Sequence, residues 1–179
     1  MQVVAICSTE LALDGIRWSD TFLNNINTWR KYNPDPALTI LDARKYMKEP
    51  DPIKAIWAAV AAIPKIDLLI YSGHSSPLNL LVFYHAAIKL TNDRRYLGGS
   101  HSFAADYSPD ARIILWGCQT AGVKGIPSGN SIAQTIANRT KRKVMGFVWR
   151  SSQKLNPKGH PPGYYQLPEH GGLVEVTPK

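Results

Sequence analysis

Two residues with reactive side chains each follow a short apolar run in this sequence. His74 comes shortly after the run at 66–71, within IDLLIYSGHSSP, and Cys118 comes shortly after the run at 113–116, within ARIILWGCQTAG. A thiol is a useful nucleophile only as the thiolate, and a nearby imidazole can take up its proton. The two residues therefore predict nucleophilic chemistry if the fold brings them together.

Alternating strands and helices are predicted around these residues, because apolar runs alternate with stretches of helical periodicity. The predicted strands lie at 1–8, 37–43, 66–71, 112–116 and 143–149, and the predicted helices at about 17–31, 52–63 and 131–137. Asp51 is expected to cap the second helix, with Pro52 at its first position. A short helix is predicted in SFAADYSPDA, and a last short strand in GLVEVT.

This alternation predicts an α/β fold, with a mostly parallel sheet and helices on both of its faces. If the first four strands lie in the order 2-1-3-4, the strands before His74 and Cys118 are neighbours about 5 Å apart. Ligands of such sheets bind outside the carboxyl ends of the strands. We therefore expect His74 and Cys118 to face one another at that edge.

Small residues precede both positions. Gly73 stands before His74 and Gly117 before Cys118, and each glycine permits a tight turn and a close approach of the backbone. The backbone amides of Cys118 and Ser75 are then expected to bind the oxyanion of a tetrahedral intermediate.

A resemblance to a known family follows from the order of these motifs. Strand–SGH, then strand–GC, then GNSIAQTIANRTKRKVMGF is similar to the caspase-like (clan CD) cysteine peptidases, closest to compact bacterial members of the CHAT and self-cleaving-toxin-peptidase type. The resemblance covers roughly residues 60–150, and the 44 residues from His74 to Cys118 are similar to the caspase spacing of about 50. It implies a caspase-like three-layer sandwich with a Cys–His dyad. Cys118 would be the nucleophile of a cysteine endopeptidase, and His74 the general base and later the acid, with no cofactor and no metal.

The sequence departs from the family pattern at two positions. The family usually has glycine after the histidine, where this chain has Ser75, and often has alanine or serine before the cysteine, where this chain has Gly117. Serine still offers its backbone amide to an oxyanion. The departures keep a second interpretation open, in which the chain is a catalytically inactive caspase-fold module that binds or regulates a partner.

The resemblance also implies where a substrate pocket lies. In the family, the residue two positions before the cysteine and the loop after the first strand line this pocket, and here these are Trp116 and the stretch Ser8–Glu10. Glu10 and Asp14 are the alternative candidates for accepting a basic side chain. Arg150, just past the fifth predicted strand, is expected to border the pocket.

Length and composition predict one domain. The chain has 179 residues, of which 44% are hydrophobic, enough for one core and short for two. We expect a single domain over 1–179, with an irregular insertion at 75–110 and a C-terminal segment rich in proline and glycine at 151–179. No apolar run approaches the roughly 18 residues of a membrane span. With no signal peptide in view, we expect a cytoplasmic protein with no membrane partner.

The formal net charge of +8 favours acidic partners only weakly. The basic run at 140–143 has no interleaved aromatic residues, so a nucleic-acid partner is not expected. The expected partners are a protein or peptide substrate and a regulatory protein.

Other chemistry is weakly supported. Cys7 ends the first predicted strand and is expected in the core, apart from Cys118. A zinc site built from His74, His85, His101 and Cys118 lacks recognised ligand spacing. The G-x-S-x-G pattern of serine hydrolases is absent from the sequence.

Overall fold

The structure is a computed structural model that describes residues 1–11, 18–34, 37–84, 96–98, 101–122, 131–148 and 173–179. Its helices are α1 (Thr21–Tyr32), α2 (Pro52–Ala61) and α3 (Ile132–Thr140), with a short 3-10 helix at Ala43–Tyr46. Its strands are β1 (Gln2–Cys7), β2 (Thr9–Leu11), β3 (Trp18–Ser19), β4 (Ala37–Asp42), β5 (Ile66–Ser72), β6 (His74–Ser75), β7 (Asn79–Leu81), β8 (Phe83–Tyr84), β9 (Tyr96–Gly98), β10 (Tyr107–Trp116), β11 (Lys143–Phe147) and β12 (Leu173–Val176).

A six-stranded sheet forms the centre of the molecule, in the order β12-β11-β10-β5-β1-β4. Five strands of this sheet pair in parallel: β1, β4, β5, β10 and β11. The sixth strand, β12, pairs antiparallel with β11 at one edge. The predicted α/β class and the mostly parallel sheet are therefore confirmed. The predicted order 2-1-3-4 is also found, as β4-β1-β5-β10, so β5 and β10 are neighbours.

Successive residues of a strand point to opposite sides of a sheet, so both faces of this sheet carry apolar side chains. Helices cover both faces. One face packs against α2 and α3, through residues that include Ile6, Tyr71, Leu115, Ile56 and Ile136. The other face packs against α1, through residues that include Cys7, Ile70, Trp116, Ile26 and Trp29. The strands β1 and β5 and the last four residues of β10 are buried on both faces, which explains why these stretches are nearly continuously apolar.

The helix ends follow local capping chemistry. The Asp51 carboxylate accepts a hydrogen bond from the Lys54 amide, with Pro52 at the first helical position, as predicted. The first helix begins at Thr21 and not at 17. The Ser131 side chain caps α3 by accepting from the Gln134 amide.

The insertion predicted at 75–110 carries short strands where it is described. Two three-stranded sheets use them, in the orders β3-β2-β8 and β6-β7-β9. The short helix predicted in SFAADYSPDA is wrong, since residues 102–106 have no regular structure and β10 already begins at Tyr107. The strand predicted in GLVEVT is confirmed as β12. Within the described ranges, no helix has both the length and the apolar character needed to cross a membrane.

Candidate active site

The register of β5 and β10 brings the ends of the two predicted motifs side by side. Ser72, the last residue of β5, is paired with Trp116, the last residue of β10. The Gly73 amide donates to the Trp116 carbonyl at 3.1 Å, which carries the contact one residue past the strand. His74 and Cys118 each follow two positions after this pair. Both residues therefore lie at the same carboxyl edge of the sheet, just past the ends of two neighbouring strands.

A direct contact joins the two turns that follow these strands. The Ser75 hydroxyl donates to the Cys118 carbonyl oxygen at 2.6 Å. The glycine before the cysteine is part of the same contact, since a Cβ placed on Gly117 would lie 2.3 Å from Ser75 Oγ. The residue after the histidine thus touches the backbone of the cysteine and of the glycine before it.

The His74 ring lies against α1. The Phe22 ring meets it edge to face, with ring centroids 5.0 Å apart and an interplanar angle of 83°. Phe22 is buried, and its carbonyl accepts a hydrogen bond from the Ser72 hydroxyl at 3.3 Å. His74 itself is half-buried. The first turn of α1 therefore forms one wall beside the imidazole.

Buried hydroxyl groups anchor the main chain of His74 from below. The Tyr71 hydroxyl donates to the His74 carbonyl and lies 2.8 Å from the Leu81 carbonyl. The Ser8 hydroxyl donates to the carbonyls of Leu81 and Val82, at 2.7 and 3.0 Å. Burial raises the pKa of Tyr71, so the hydroxyl keeps its proton and remains a donor. The sequence analysis missed Tyr71, whose only signal is a polar atom inside an otherwise apolar strand.

The strand pairing of β6 orients the Ser75 amide. The Ser76 amide donates to the Asn79 carbonyl at 2.9 Å, and Ser75 is paired with Leu80 at the next position. Amides alternate in direction along an antiparallel strand, so the Ser75 amide points away from β7. This orientation suits the predicted role of that amide at an oxyanion, and the Cys118 amide stays the predicted second donor.

The residues that follow Cys118 in its turn are fixed to the core. Gln119 has a φ of +59°, a left-handed conformation that a non-glycine residue rarely adopts. The buried Thr120 hydroxyl accepts from the Phe147 amide at 3.0 Å and lies 3.2 Å from the Leu115 carbonyl. The Ala133 amide, at the start of α3, donates to the Thr120 carbonyl. The turn is thus held between β10, β11 and α3.

The two cysteines lie in different environments. Cys7 is 1% exposed in the core on the α1 face, as predicted, whereas Cys118 is partly exposed. Burial, reinforced by the Asp42 carboxylate, raises the pKa of the Cys7 thiol to about 12. Strand β5 lies between β1 and β10, and the two cysteines do not form a disulfide. Cys118 is therefore the accessible thiol of the pair.

The structure describes the side chains of some predicted pocket residues and not of others. Trp116 is 3% exposed and belongs to the core on the α1 face, so its side chain contacts a ligand only if the packing around it opens. Glu10 pairs through its backbone with Ser19 and Tyr84, and its side chain lies outside the description. Arg150 lies outside the described residues. The substrate pocket stays a prediction.

Metal ligands are not clustered in the part of the chain that the structure describes. No group of three or more histidine, cysteine, aspartate or glutamate side chains is placed there to hold an ion. His101 Nδ1 instead lies 3.2 Å from the Gly98 amide nitrogen. His85 falls outside the described ranges.

The basic run lies at the opposite edge of the sheet. A cavity of about 320 Å³ is found where β10 and β11 begin, and its lining includes Arg112, Lys141, Arg142 and Lys143. The Arg142 Nε donates to the Ser108 carbonyl at 2.9 Å, and Lys143 Nζ lies 3.0 Å from a Glu175 carboxylate oxygen. These cations therefore lie away from the edge that carries His74 and Cys118.

No protein-family model matches this chain, and a search of the curated proteins found no match. The resemblance to caspase-like peptidases therefore depends on the motifs and their order, and the function is argued from the geometry of the site.

Proposed function

We propose that the chain is a cysteine endopeptidase that uses Cys118 and His74 as a dyad. The observation that supports this most is the register of β5 and β10, which pairs Ser72 with Trp116 and sets both reactive residues two positions beyond that pair. The Ser75–Cys118 contact and the partial exposure of the Cys118 thiol agree with it. The resemblance to caspase-like peptidases supplies the reaction class.

The proposed reaction begins with transfer of the Cys118 thiol proton to His74. The thiolate attacks the carbonyl carbon of the scissile peptide bond, and the backbone amides of Ser75 and Cys118 stabilise the oxyanion that forms. The tetrahedral intermediate collapses, the C–N bond breaks, and His74 gives its proton to the leaving amine. A water molecule, deprotonated by His74, then hydrolyses the thioester and releases the acid product with Cys118 restored.

The substrate of this reaction is a protein segment bound in an extended form across the carboxyl edge of the sheet. The partial exposure of His74 and Cys118 there gives a peptide access to the thiol. We propose that the chain acts in the cytoplasm, with a protein substrate and a regulatory protein as partners.

The proposal is tested by comparing wild type with Cys118→Ala and His74→Ala on denatured proteins and peptide libraries. Cleavage by wild type that both variants lose by a factor of 100 or more supports the dyad, a loss in line with removal of a catalytic nucleophile or base. Cys7→Ala is the matched cysteine control and retains activity. Equal cleavage by wild type and Cys118→Ala would refute the proposal.

A thiol-reactive peptidyl probe separates the enzyme from an inactive binding module of the same fold. Labelling of Cys118 that falls in His74→Ala indicates an activated thiolate. Labelling that is unchanged in His74→Ala indicates a module without catalysis and contradicts the dyad.

A further inference from the structure

The hydrogen bond from Ser75 to Cys118 acts on a strained peptide unit. The carbonyl that accepts it belongs to the peptide that joins Cys118 to Gln119, and the plane of that peptide helps to set the backbone angles of both residues. Gln119 has a φ of +59°, a left-handed conformation that a non-glycine residue rarely adopts and that is held here at an energetic cost. A donor at 2.6 Å from the carbonyl oxygen holds the plane in the orientation that this conformation requires.

Ser75 also lies directly after His74, in the same two-residue strand. The β6 strand is paired with β7, and the Tyr71 hydroxyl donates to the His74 carbonyl. The main chain on the histidine side is therefore fixed independently of Cys118. The Ser75 hydroxyl then links this fixed main chain to the turn that carries the thiol, through its hydrogen bond to the Cys118 carbonyl.

Gly117 provides the space that this contact needs. A Cβ at position 117 would lie 2.3 Å from Ser75 Oγ, 3.0 Å from Ser75 Cβ and 2.8 Å from the Gly73 carbonyl oxygen. Atoms that close cannot coexist without a shift of the side chain or the backbone. The serine hydroxyl and a side chain at 117 therefore compete for the same volume.

We propose that the Ser75 hydroxyl is a positioning group that sets the nucleophile turn against His74, and that Gly117 is its obligatory partner. The two positions at which the chain departs from the family pattern are thus one coupled change. The catalytic consequence rests on the proposed function, whereas the coupling of Ser75 to Gly117 does not.

The coupling is tested by the thermal stability of four proteins: wild type, Ser75→Gly, Gly117→Ala and the double variant. Gly117→Ala alone lowers the Tm by about 2–12 °C, the shift expected for overpacking in a chain of this size. In the Ser75→Gly background, the same alanine costs at most half of that shift, because two of its three close contacts are gone. The Gly73 carbonyl remains, so the recovery is incomplete. Additive Tm shifts would overturn the coupling.

The positioning role is tested by the chemistry of the Cys118 thiol. Iodoacetamide alkylates Cys118 in the native protein in preference to Cys7, because Cys7 is buried. In Ser75→Ala, the pH midpoint of Cys118 alkylation shifts upward by about 0.5–1 unit, because the imidazole is less well placed to favour the thiolate. With a cleavable peptide, kcat falls by about tenfold or more while KM stays within about twofold, as for lost transition-state geometry.

Ser76→Ala is the matched control, since it also removes a hydroxyl from this segment. Ser76 Oγ accepts from the amides of Leu78 and Asn79, so these hydrogen bonds stay within the turn before β7. The Ser76→Ala variant leaves the pH midpoint of Cys118 alkylation and kcat unchanged. A Ser75→Ala variant that behaves like Ser76→Ala in both measurements overturns the positioning role.

The outcomes separate this inference from the proposed function. If wild type cleaves no peptide but the alkylation midpoint and the Tm cycle behave as stated, the peptidase proposal fails and the Ser75–Gly117 relationship stands. If wild type cleaves and Ser75→Ala cleaves equally well, the peptidase stands and the positioning role fails.

Discussion

The Tyr71 hydroxyl donates to the main-chain carbonyl of His74, three residues further along the chain. Tyr71 is 1% exposed, and the same hydroxyl lies 2.8 Å from the Leu81 carbonyl. A side chain from the strand interior therefore fixes the backbone of the proposed general base and joins it to β7.

Tyr71→Phe is expected to destabilise the fold by about 0.5–1.5 kcal/mol, because the His74 carbonyl loses its hydrogen bond from this buried hydroxyl, whereas the Leu81 carbonyl keeps the one from Ser8. Urea denaturation measures this loss. Tyr107→Phe is the control, because the Tyr107 hydroxyl makes one longer bond of 3.3 Å, to the Phe103 carbonyl. A smaller loss for Tyr71→Phe than for Tyr107→Phe would contradict the anchoring role.

Gly73→Ala is expected to be among the most damaging single substitutions at this edge. The new Cβ would lie 2.3 Å from Ser8 Cβ and 2.4 Å from the Tyr71 hydroxyl oxygen, both held by the core. We expect a loss of at least about 3 kcal/mol, visible as a reduced urea midpoint.

Gly98→Ala gives the comparison for that loss. The close contacts of its Cβ are with the Asn79 side-chain amide alone, with Oδ1 at 2.4 Å, and that side chain can rotate away. We expect a loss of under about 1.5 kcal/mol. Equal losses for the two alanines would show that the packing around Gly73 is not rigid.

Asp67 makes the stability depend on acid pH. Hydrogen bonds from the Ser108 hydroxyl at 2.6 Å and the Gln2 amide at 2.7 Å lower the pKa of the Asp67 carboxyl. The folded state therefore favours the ionised form, so this contribution is present above the unfolded pKa of about 3.9 and disappears as the pH falls through the lower folded value.

The expected effect is modest, because the Asp67 side chain is 37% exposed. Asp67→Asn should lower the free energy of unfolding by under about 1 kcal/mol at pH 7, and the difference from wild type should shrink below pH 4. Denaturation curves from pH 2 to 7 measure it, and Ser108→Ala should show the same trend. A difference that grows in acid would contradict this assignment.

Cys7 makes the stability depend on alkaline pH. Burial raises the pKa of its thiol to about 12, above the unfolded value of about 8.5. Its contribution is complete below the unfolded pKa and is lost as the pH rises, since the unfolded state then releases a proton that the folded state keeps. The expected slope is about 1.0–1.3 kcal/mol per pH unit between 9 and 10.

Cys7→Ala should reduce the alkaline loss over that interval, whatever its cost at pH 7. Denaturant midpoints at pH 8, 9 and 10 give the slope. An unchanged slope in Cys7→Ala would show that the thiol ionises without unfolding.

The sheet was predictable from the sequence because β1, β5 and the last four residues of β10 are apolar on both faces. The pairing of β5 with β10 followed from the rule that consecutive units of such folds are neighbours, and it is confirmed. The strand in GLVEVT was predictable from its short alternation of apolar and polar residues. These are properties of local patterns that depend little on distant residues.

The contacts at the site were not predictable in the same way. The Tyr71 anchor joins β5 to residues ten positions away, and the Ser75–Gly117 contact depends on the register of two distant strands. In the sequence, Ser75 is visible only as a departure from the caspase-like motif, although in the structure its hydroxyl donates a hydrogen bond to the Cys118 carbonyl. The short helix predicted in SFAADYSPDA failed because pairing of Tyr107 with Ile66 favours the extended chain.

The antiparallel pairing of β12 has a consequence for how this chain can vary. Phe147, at the end of β11, is the register partner of Leu173, at the start of β12. The chain thus leaves and re-enters the sheet at one point, on the edge that carries Cys118. Because closure entropy rises only slowly with loop length, the entropic cost of joining these two residues depends little on how many residues connect them. In entropic terms, the pairing of β11 with β12 therefore tolerates connections of different length at the edge that carries the thiol.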